Sequence, residues 1–292
     1  MLQRIGFDIH LAVSSPTMLV ANLLVRPEFQ RDLRALEHLS ISPELVSEAY
    51  SDPFGNRAVR VAIPEGVDLV ELSLDTVAYY SGEPDPVVPD AEQHPLHELP
   101  VEVLQFLLPS RYCEVDSELM DYAWQTFGSV PPGWARVQAV VDAVHERIRF
   151  DYANARPTRT ALEAFREGTG VCRDFAHLAV TLCRCLNIPA RYVNGYLGDI
   201  GIEPLPDPMD FSAWFHVYLG GRWYAFDARH NEPRIGRIEI AYGRDAADVA
   251  MTTVFGSHEL RRFEVTTYEL PDGEVPDGEP APGGAGTSTS AA

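Results

Sequence analysis

The sequence predicts an α+β protein in which a β-rich, sandwich-like segment precedes a core of mixed helices and strands. Two observations carry this prediction. Short apolar runs separated by turn residues fill roughly the first 80 residues, a pattern typical of strands. From about residue 116 the apolar residues follow the helical spacing i, i+3, i+4, i+7. This change of period places a β-rich domain at residues 1–100 and the core at residues 101–270.

The N-terminal strands are predicted from apolar runs that lie between turn residues. The runs cover residues 5–13, 19–25, 58–63 and 69–80. Residues 52–56 form a cluster of turn formers, Asp-Pro-Phe-Gly-Asn. Residues 82–100 are rich in proline and acid without apolar periodicity, which predicts a linker or wrapping loop.

The core is predicted to contain helices followed by strands. One helix covers residues 118–127, a second follows Pro131-Pro132, a third begins near Thr160, and a fourth runs from Cys172 to before Pro189. A strand at residues 190–197 comes next. Residues 212–219 and 222–228 then form a hairpin whose turn is Gly220-Gly221.

Charge and composition exclude several classes of function. The formal net charge is −20, so nucleic acids and anionic membranes are repelled at long range. No run of 18 apolar residues and no signal-peptide pattern occur, so we expect no membrane contact and a cytoplasmic location. Residues 271–292 are polar and repetitive with almost no apolar content, which predicts a disordered tail.

Cys172 is the candidate nucleophile. Gly168 and Gly170 permit a tight turn just before it, and an apolar stripe with helical spacing follows it. At the first turn of a helix, free N–H groups and the dipole favour an anion, which predicts a lowered thiol pKa and a stabilised thiolate. The same N–H groups are suited to binding an oxyanion. Free cysteines are more often small buried hydrophobes, so position alone leaves both readings open.

The other cysteines carry no comparable signal. Cys183 and Cys185 lie in mid-helix and Cys113 has no visible partner, so we interpret them as buried hydrophobes. His177 is rotated away from Cys172 on the helix and is interpreted as a structural histidine. A metal site made of Cys172, His177 and Cys183 is unfavourable because the two cysteines are roughly 16 Å apart along a helix. We expect no metal and no organic cofactor.

Asp227 closes the aromatic strand of the hairpin, after Trp223-Tyr224-Ala225-Phe226. An acid at this place often caps the next turn. It is equally suited to orienting a catalytic histidine, because thiol enzymes usually pair the cysteine with an imidazole held by a third polar group. The spacing fits both interpretations.

At this point the chain resembles the bacterial transglutaminase-like family, whose members are often described as candidate cysteine proteases. The resemblance rests on Gly170–Leu178 around the nucleophile, Ile188–Tyr196 as the next strand and Trp223–Asp227 as the aspartate strand. Residues 50–56 and 107–112 resemble the accompanying β-rich domain and its junction. The resemblance implies a papain-like α+β core with a Cys-His-Asp triad, in which Cys172 is the nucleophile and Asp227 the orienting acid.

The family histidine is missing from its usual place. It normally precedes Ala-Trp on the middle strand, where this chain has Ser212, and a hydroxyl is no base near neutral pH. In the family register Ser212 is expected opposite Asp227, beside Cys172, and His216 opposite Trp223. His216 and His230 are then competing candidates for the base.

Two functions of different classes follow. The first is thiol-dependent acyl transfer on amide or peptide bonds, with a peptidase or amidase favoured over protein cross-linking and a peptide or protein as substrate. The second is a catalytically impaired relative that keeps the fold for peptide binding or assembly. Ser212 favours the second, whereas Cys172 at its helix start favours the first.

Overall fold

The computed structural model describes residues 1–204 and 209–271 and confirms an α+β fold. Its α-helices are α1 (Glu118–Phe127), α2 (Trp134–Arg147), α3 (Ala161–Glu167) and α4 (Cys172–Cys185). Its strands are β1 (Leu2–Val13), β2 (Thr17–Ala21), β3 (Ser40–Ser42), β4 (Ser47–Ser51), β5 (Arg57–Ile63), β6 (Leu69–Tyr79), β7 (Arg149–Phe150), β8 (Thr169–Gly170), β9 (Ala190–Tyr196), β10 (Ser212–Leu219), β11 (Arg222–Phe226), β12 (Ile238–Gly243), β13 (Thr252–Val254) and β14 (His258–Glu269).

The β-rich part consists of two antiparallel sheets with the strand orders β14-β1-β6-β3 and β13-β2-β5-β4. Side chains alternate along β1, so that Ile5, Phe7, Ile9 and Leu11 are all buried. They belong to one apolar core with residues of β2 and β5. The predicted sandwich-like arrangement is therefore confirmed.

The end of the chain returns to these N-terminal sheets. β13 pairs with β2 along Thr252–Val254, and β14 pairs with β1 over most of its length. Both strands lie in the range 101–270 that the sequence assigned to the core. The boundaries at residues 100 and 270 stay a prediction, and the pairing shows that residues 252–269 complete the β-rich sheets.

The core packs helices against one face of a third antiparallel sheet, with the order β11-β10-β9-β12. Helix α4 lies at its centre, because its apolar stripe, Phe175, Leu178 and Leu182, is almost completely buried. Helices α1, α2 and α3 surround α4. Helix α3 begins directly after Thr160, close to the predicted start, and the Thr160 hydroxyl caps it by accepting the backbone N–H of Glu163 at 3.3 Å.

The register of the β10–β11 hairpin differs from the prediction. Leu219 pairs with Arg222, so Gly220-Gly221 alone form the turn, with φ of 53° and 82°. Two consecutive positive φ values suit a two-residue turn that matches the strand twist. His216 consequently lies opposite Ala225 rather than opposite Trp223. The predicted pairing of Ser212 with Asp227 is wrong by two residues, because a two-residue turn at Gly220-Gly221 pairs Leu219 with Arg222 and does not produce the register expected from the family.

Two segments tie the β-rich sheets and the linker to the core. The predicted turn at 52–56 docks through Asn56, which exchanges hydrogen bonds with the backbone of Tyr242 at 2.9 and 3.0 Å. The segment 82–100 wraps the core as expected, because the Asp85 carboxylate accepts from Arg237 Nε at 2.7 Å. Among the described residues no helix is long and apolar enough to cross a membrane. The predicted tail, apart from its first residue, lies outside the described residues.

Candidate functional site

Helix α4 begins at Cys172, as the sequence predicts. The entry is held by Asp174, whose carboxylate accepts the backbone N–H of Val171 at 3.0 Å and Arg159 Nη1 at 2.9 Å. Gly170 is required here for close approach, because a Cβ would lie 2.7 Å from the Asp174 side chain. These contacts fix the position of Cys172 at the first helical turn.

The half-buried Cys172 borders a cavity of about 510 Å³. The backbone N–H of Ala213, on β10, is directed toward its sulfur and favours the thiolate. Aromatic, apolar and polar side chains line the cavity, among them Tyr192, Asn194, Phe211 and Met251. A cavity of this size is in the range of small-ligand sites.

The ionisation of Cys172 differs from the prediction. Burial raises the pKa of the thiol to about 11, and the nearby carboxylates of Asp210 and Asp227 add to this rise. Arg229 and the Ala213 N–H act in the opposite direction without balancing the burial. The expectation of a lowered thiol pKa is therefore wrong for this state of the site, since the half-enclosed sulfur has lost hydration that the helix N-terminus does not replace.

Ser212 lies at the start of β10 and is 6% exposed. It lines the Cys172 cavity and also a smaller cavity of about 30 Å³. Within residues 1–204 and 209–271 its hydroxyl has no hydrogen-bond partner. Ser212 thus separates the Cys172 cavity from the smaller one, with Asp210 and Phe211 as further shared walls.

Asp227 directly follows β11, where its two carboxylate oxygens have different partners. Its Oδ1 accepts the backbone N–H groups of Arg229 and His230 at 3.0 and 3.1 Å, which caps the turn. Its Oδ2 contacts His230 Nδ1 at 2.8 Å and Arg237 Nη2 at 3.0 Å. Burial alone would raise the pKa of this carboxyl, but its interactions with the His230 ring and the Arg237 guanidinium hold it well below its usual range.

His230 lines the smaller cavity together with Ser212, Asp210 and Tyr152. Because its Nδ1 faces the Asp227 carboxylate, this nitrogen carries the proton and Nε2 points to the opposite side of the ring. An acid that holds one ring nitrogen and leaves the other as an acceptor is the usual orientation of a catalytic histidine.

His216 has a different environment on the same hairpin. Its Nδ1 accepts from Arg191 Nη2 at 3.0 Å, and its Nε2 lies 3.2 Å from Glu239 Oε1. Burial lowers the pKa of this imidazole, which favours the neutral ring. Neither the Cys172 cavity nor the smaller cavity has His216 in its wall. The structure therefore brings His230, and not His216, to the neighbourhood of Ser212.

His177 lies in the interior, as its position on the helix predicted. It stacks on Tyr112 with ring centroids 5.1 Å apart, and its Nε2 accepts the backbone N–H of Ala246 at 3.1 Å. Over the part of the chain that the structure describes, no group of His, Cys, Asp and Glu side chains is arranged to hold a metal ion.

Sequence reasoning missed the polar residues of the wall between the cavities. Asp210 lines both cavities, burial raises the pKa of its carboxyl, and the Tyr152 hydroxyl donates to it at 3.3 Å. Arg229 follows Asp227 by two residues and lowers the pKa of Cys172. Only the position of Asp210, two residues before Ser212, could have drawn attention to it.

Comparisons with known proteins agree with this fold. Residues 121–228 match the model of the transglutaminase-like superfamily. The structure of a candidate cysteine protease from Cytophaga hutchinsonii is similar with a TM-score of 0.80 and 32% identity, covering 94% of this chain and 93% of that one. An uncharacterized protein of Mycobacterium leprae is 30% identical over 154 residues, which are 51% of this chain and 53% of that relative. This chain thus matches about half the length of that curated relative.

A more distant likeness is to the periplasmic domain of TgpA from Pseudomonas aeruginosa. It has a TM-score of 0.36 at 15% identity and covers 75% of this chain and 91% of that one. Because the TM-score and the identity are this low, the likeness carries no argument about the site.

Proposed function

This chain belongs to the transglutaminase-like superfamily, and on that premise we propose that it is a thiol-dependent acyl-transfer enzyme acting on amide or peptide bonds. One observation carries the proposal. Cys172 starts a buried helix at the edge of a 510 Å³ cavity. Ser212 and Asp210 line both that cavity and the smaller one, which is also lined by His230, and the Nδ1 of His230 contacts Asp227.

In the proposed reaction Cys172 is the nucleophile and His230 the base. The imidazole takes the thiol proton, the thiolate attacks the carbonyl carbon, and a C–S bond forms. The C–N bond then breaks, and the amine leaves with the proton from His230. In the second step His230 takes a proton from water, the oxygen attacks the thioester so that a C–O bond forms, and the C–S bond breaks as His230 returns the proton to the Cys172 sulfur. Asp227 stabilises the imidazolium in both steps.

The chain's own backbone supplies the proposed oxyanion site. The carbonyl oxygen becomes negative when the thiolate adds, and N–H donors at a helix start stabilise such a charge. Cys172 itself opens α4, and the Ala213 N–H lies on the facing strand. Water as acceptor gives a peptidase or amidase, which we favour over protein cross-linking.

A catalytically impaired binding protein is the second candidate. Ser212 in the family histidine position and the raised pKa of Cys172 favour it. In that case the Cys172 cavity would still bind a peptide, but the chemical step would be absent.

The test is hydrolysis of an acetyl-phenylalanine p-nitroanilide, with and without a primary amine as competing acceptor. We expect wild-type hydrolysis that Cys172→Ala abolishes, while the matched variant Cys183→Ala, at a buried mid-helix cysteine, keeps it. If wild type and Cys172→Ala release nitroaniline equally slowly across a panel of such anilides, the binding protein is the correct reading. An amide product formed in preference to the acid would favour a transferase.

A further inference from the structure

One part of the wall of the cavity beside Cys172 is formed by large or apolar side chains. Four of its lining residues are large or apolar and come from different elements: Tyr192, Val249, Met251 and Phe263. Tyr192 and Val249 are almost fully buried. The phenyl ring of Phe263 packs edge-on against Phe211, with 5.8 Å between the centroids.

Most of this wall lies outside the region that matches the superfamily model. That region ends at residue 228, whereas Val249, Met251 and Phe263 follow it in sequence. Phe263 belongs to β14, which pairs with β1 of the N-terminal sheet. Residues that follow the superfamily match, including Phe263 of β14, therefore supply part of the wall of the cavity beside Cys172.

One polar group interrupts the apolar wall. Asn194 is 4% exposed, and its Nδ2 donates to the backbone oxygen of Val249 at 2.7 Å. This bond fixes the amide orientation and leaves Oδ1, which among the described residues has no hydrogen-bond partner. Asn194 lies directly opposite Ala213, whose N–H approaches the Cys172 sulfur. Because a buried acceptor without a partner is costly, a donor that enters the cavity gains a favourable contact.

We propose that this cavity binds the acyl residue of a peptide substrate, with a large apolar or aromatic side chain against Val249, Met251 and Phe263 and its backbone N–H on Asn194 Oδ1. The inference rests on the proposed function, which places the scissile carbonyl at Cys172. An apolar side chain and an N–H donor in this arrangement are those of an amino-acid residue. A plain fatty acyl group would leave the Asn194 oxygen without a partner.

The test measures binding and not turnover, so that its failure is distinct from a failure of the proposed chemistry. Cys172→Ala protein is titrated by NMR with acetyl-phenylalanine methylamide, its glycine and glutamate analogues, and the phenylalanine compound methylated on its backbone nitrogen. We expect the phenylalanine compound to bind at least about tenfold more tightly than the glycine compound, because a buried aromatic side chain adds apolar contact. Methylation of the nitrogen should weaken binding about fivefold, by loss of one hydrogen bond.

Further substitutions in the Cys172→Ala protein identify the side chains that cause these differences in binding. Phe263→Ala should remove most of the preference for phenylalanine over glycine. Leu260→Ala, on the same strand and 54% exposed, is the matched control and should leave the preference unchanged. Asn194→Leu should remove the difference between the methylated and unmethylated compounds.

Three outcomes would overturn the inference. They are equal binding of the phenylalanine and glycine compounds, tighter binding of the glutamate compound, and no measurable binding of any compound. If Cys172→Ala protein that keeps Asn194 binds the N-methylated and the unmethylated phenylalanine compounds equally, Asn194 Oδ1 does not accept the backbone N–H. This comparison does not depend on whether the Asn194→Leu variant folds. The anilide assay tests the proposed catalysis independently of these binding measurements.

Discussion

His216 on strand β10 and His230 in the turn after β11 each lie near a carboxylate, and the two environments differ. In the middle of the hairpin, His216 has Arg191 on one nitrogen and Glu239 on the other. At the open end, His230 has Asp227 on Nδ1 and lines a cavity with Ser212. Within residues 1–204 and 209–271, His216 has a partner on each ring nitrogen, whereas His230 has one on Nδ1. An imidazole with a nitrogen that is not engaged is better suited to proton transfer. The comparison shows that the number of occupied ring nitrogens separates the two candidates.

The largest expected effect is on the rate of anilide hydrolysis, which replacement of His230 should lower far more than replacement of His216. His230→Ala should lower anilide hydrolysis by about 10²–10⁴-fold, the usual contribution of a general base. His216→Ala should change the rate by far less and act mainly on the free energy of unfolding, because Arg191 and Glu239 lose their shared partner. Rates and urea unfolding curves for both variants check this. The reverse ranking of the two rates would show that His216 is the base.

The second prediction concerns the thiol itself. Because burial raises the pKa of Cys172 to about 11, its alkylation by iodoacetamide should rise with pH and inflect near that value, well above the roughly 8.5 of a free cysteine. Mass spectrometry of the Cys172 peptide after timed labelling measures this, with Cys183 as a buried internal reference. An inflection below 8.5 would mean that the helix N-terminus outweighs burial.

The third prediction uses the family histidine position. In the His230→Ala background, Ser212→His should restore hydrolysis about tenfold, because an imidazole would then lie beside the Cys172 cavity, though without a placed orienting partner. The same change should lower the pH at which Cys172 is alkylated, since an imidazolium stabilises the thiolate. Ser212→Asn, a similarly sized polar replacement, is the control and should do neither.

The smallest expected effect comes from Asp210. Its carboxylate raises the pKa of Cys172, so Asp210→Asn should move the alkylation inflection to lower pH by less than about one unit. Tyr152→Phe removes a hydrogen bond to the same carboxyl without removing its charge, and should shift the inflection less. An upward shift in Asp210→Asn would show that this residue supports the thiolate.

Much of the fold could be predicted from the sequence because its signals are local. The period of apolar residues predicted α1 at residues 118–127 and α4 from Cys172, and the structure has both. The paired glycines predicted the hairpin and its turn, but the strand pairing expected from the family was wrong by two residues, because a two-residue turn at these glycines pairs Leu219 with Arg222. The short strands β3 and β4 were not predicted, since β4 is exposed along its whole length and has no apolar alternation.

The sequence by itself determined the superfamily, the nucleophile candidate at a helix start and the absence of the histidine from its usual place. Only the tertiary structure decided that His230, rather than His216, lines a cavity with Ser212. It also decided that Asp210 lines both cavities and that Phe263 of β14 lines the Cys172 cavity. The physical reason is distance along the chain. Helix starts and turns depend on neighbouring residues, whereas a pKa, a cavity wall and a strand pairing such as Phe7 with Val265 depend on residues that only folding brings together.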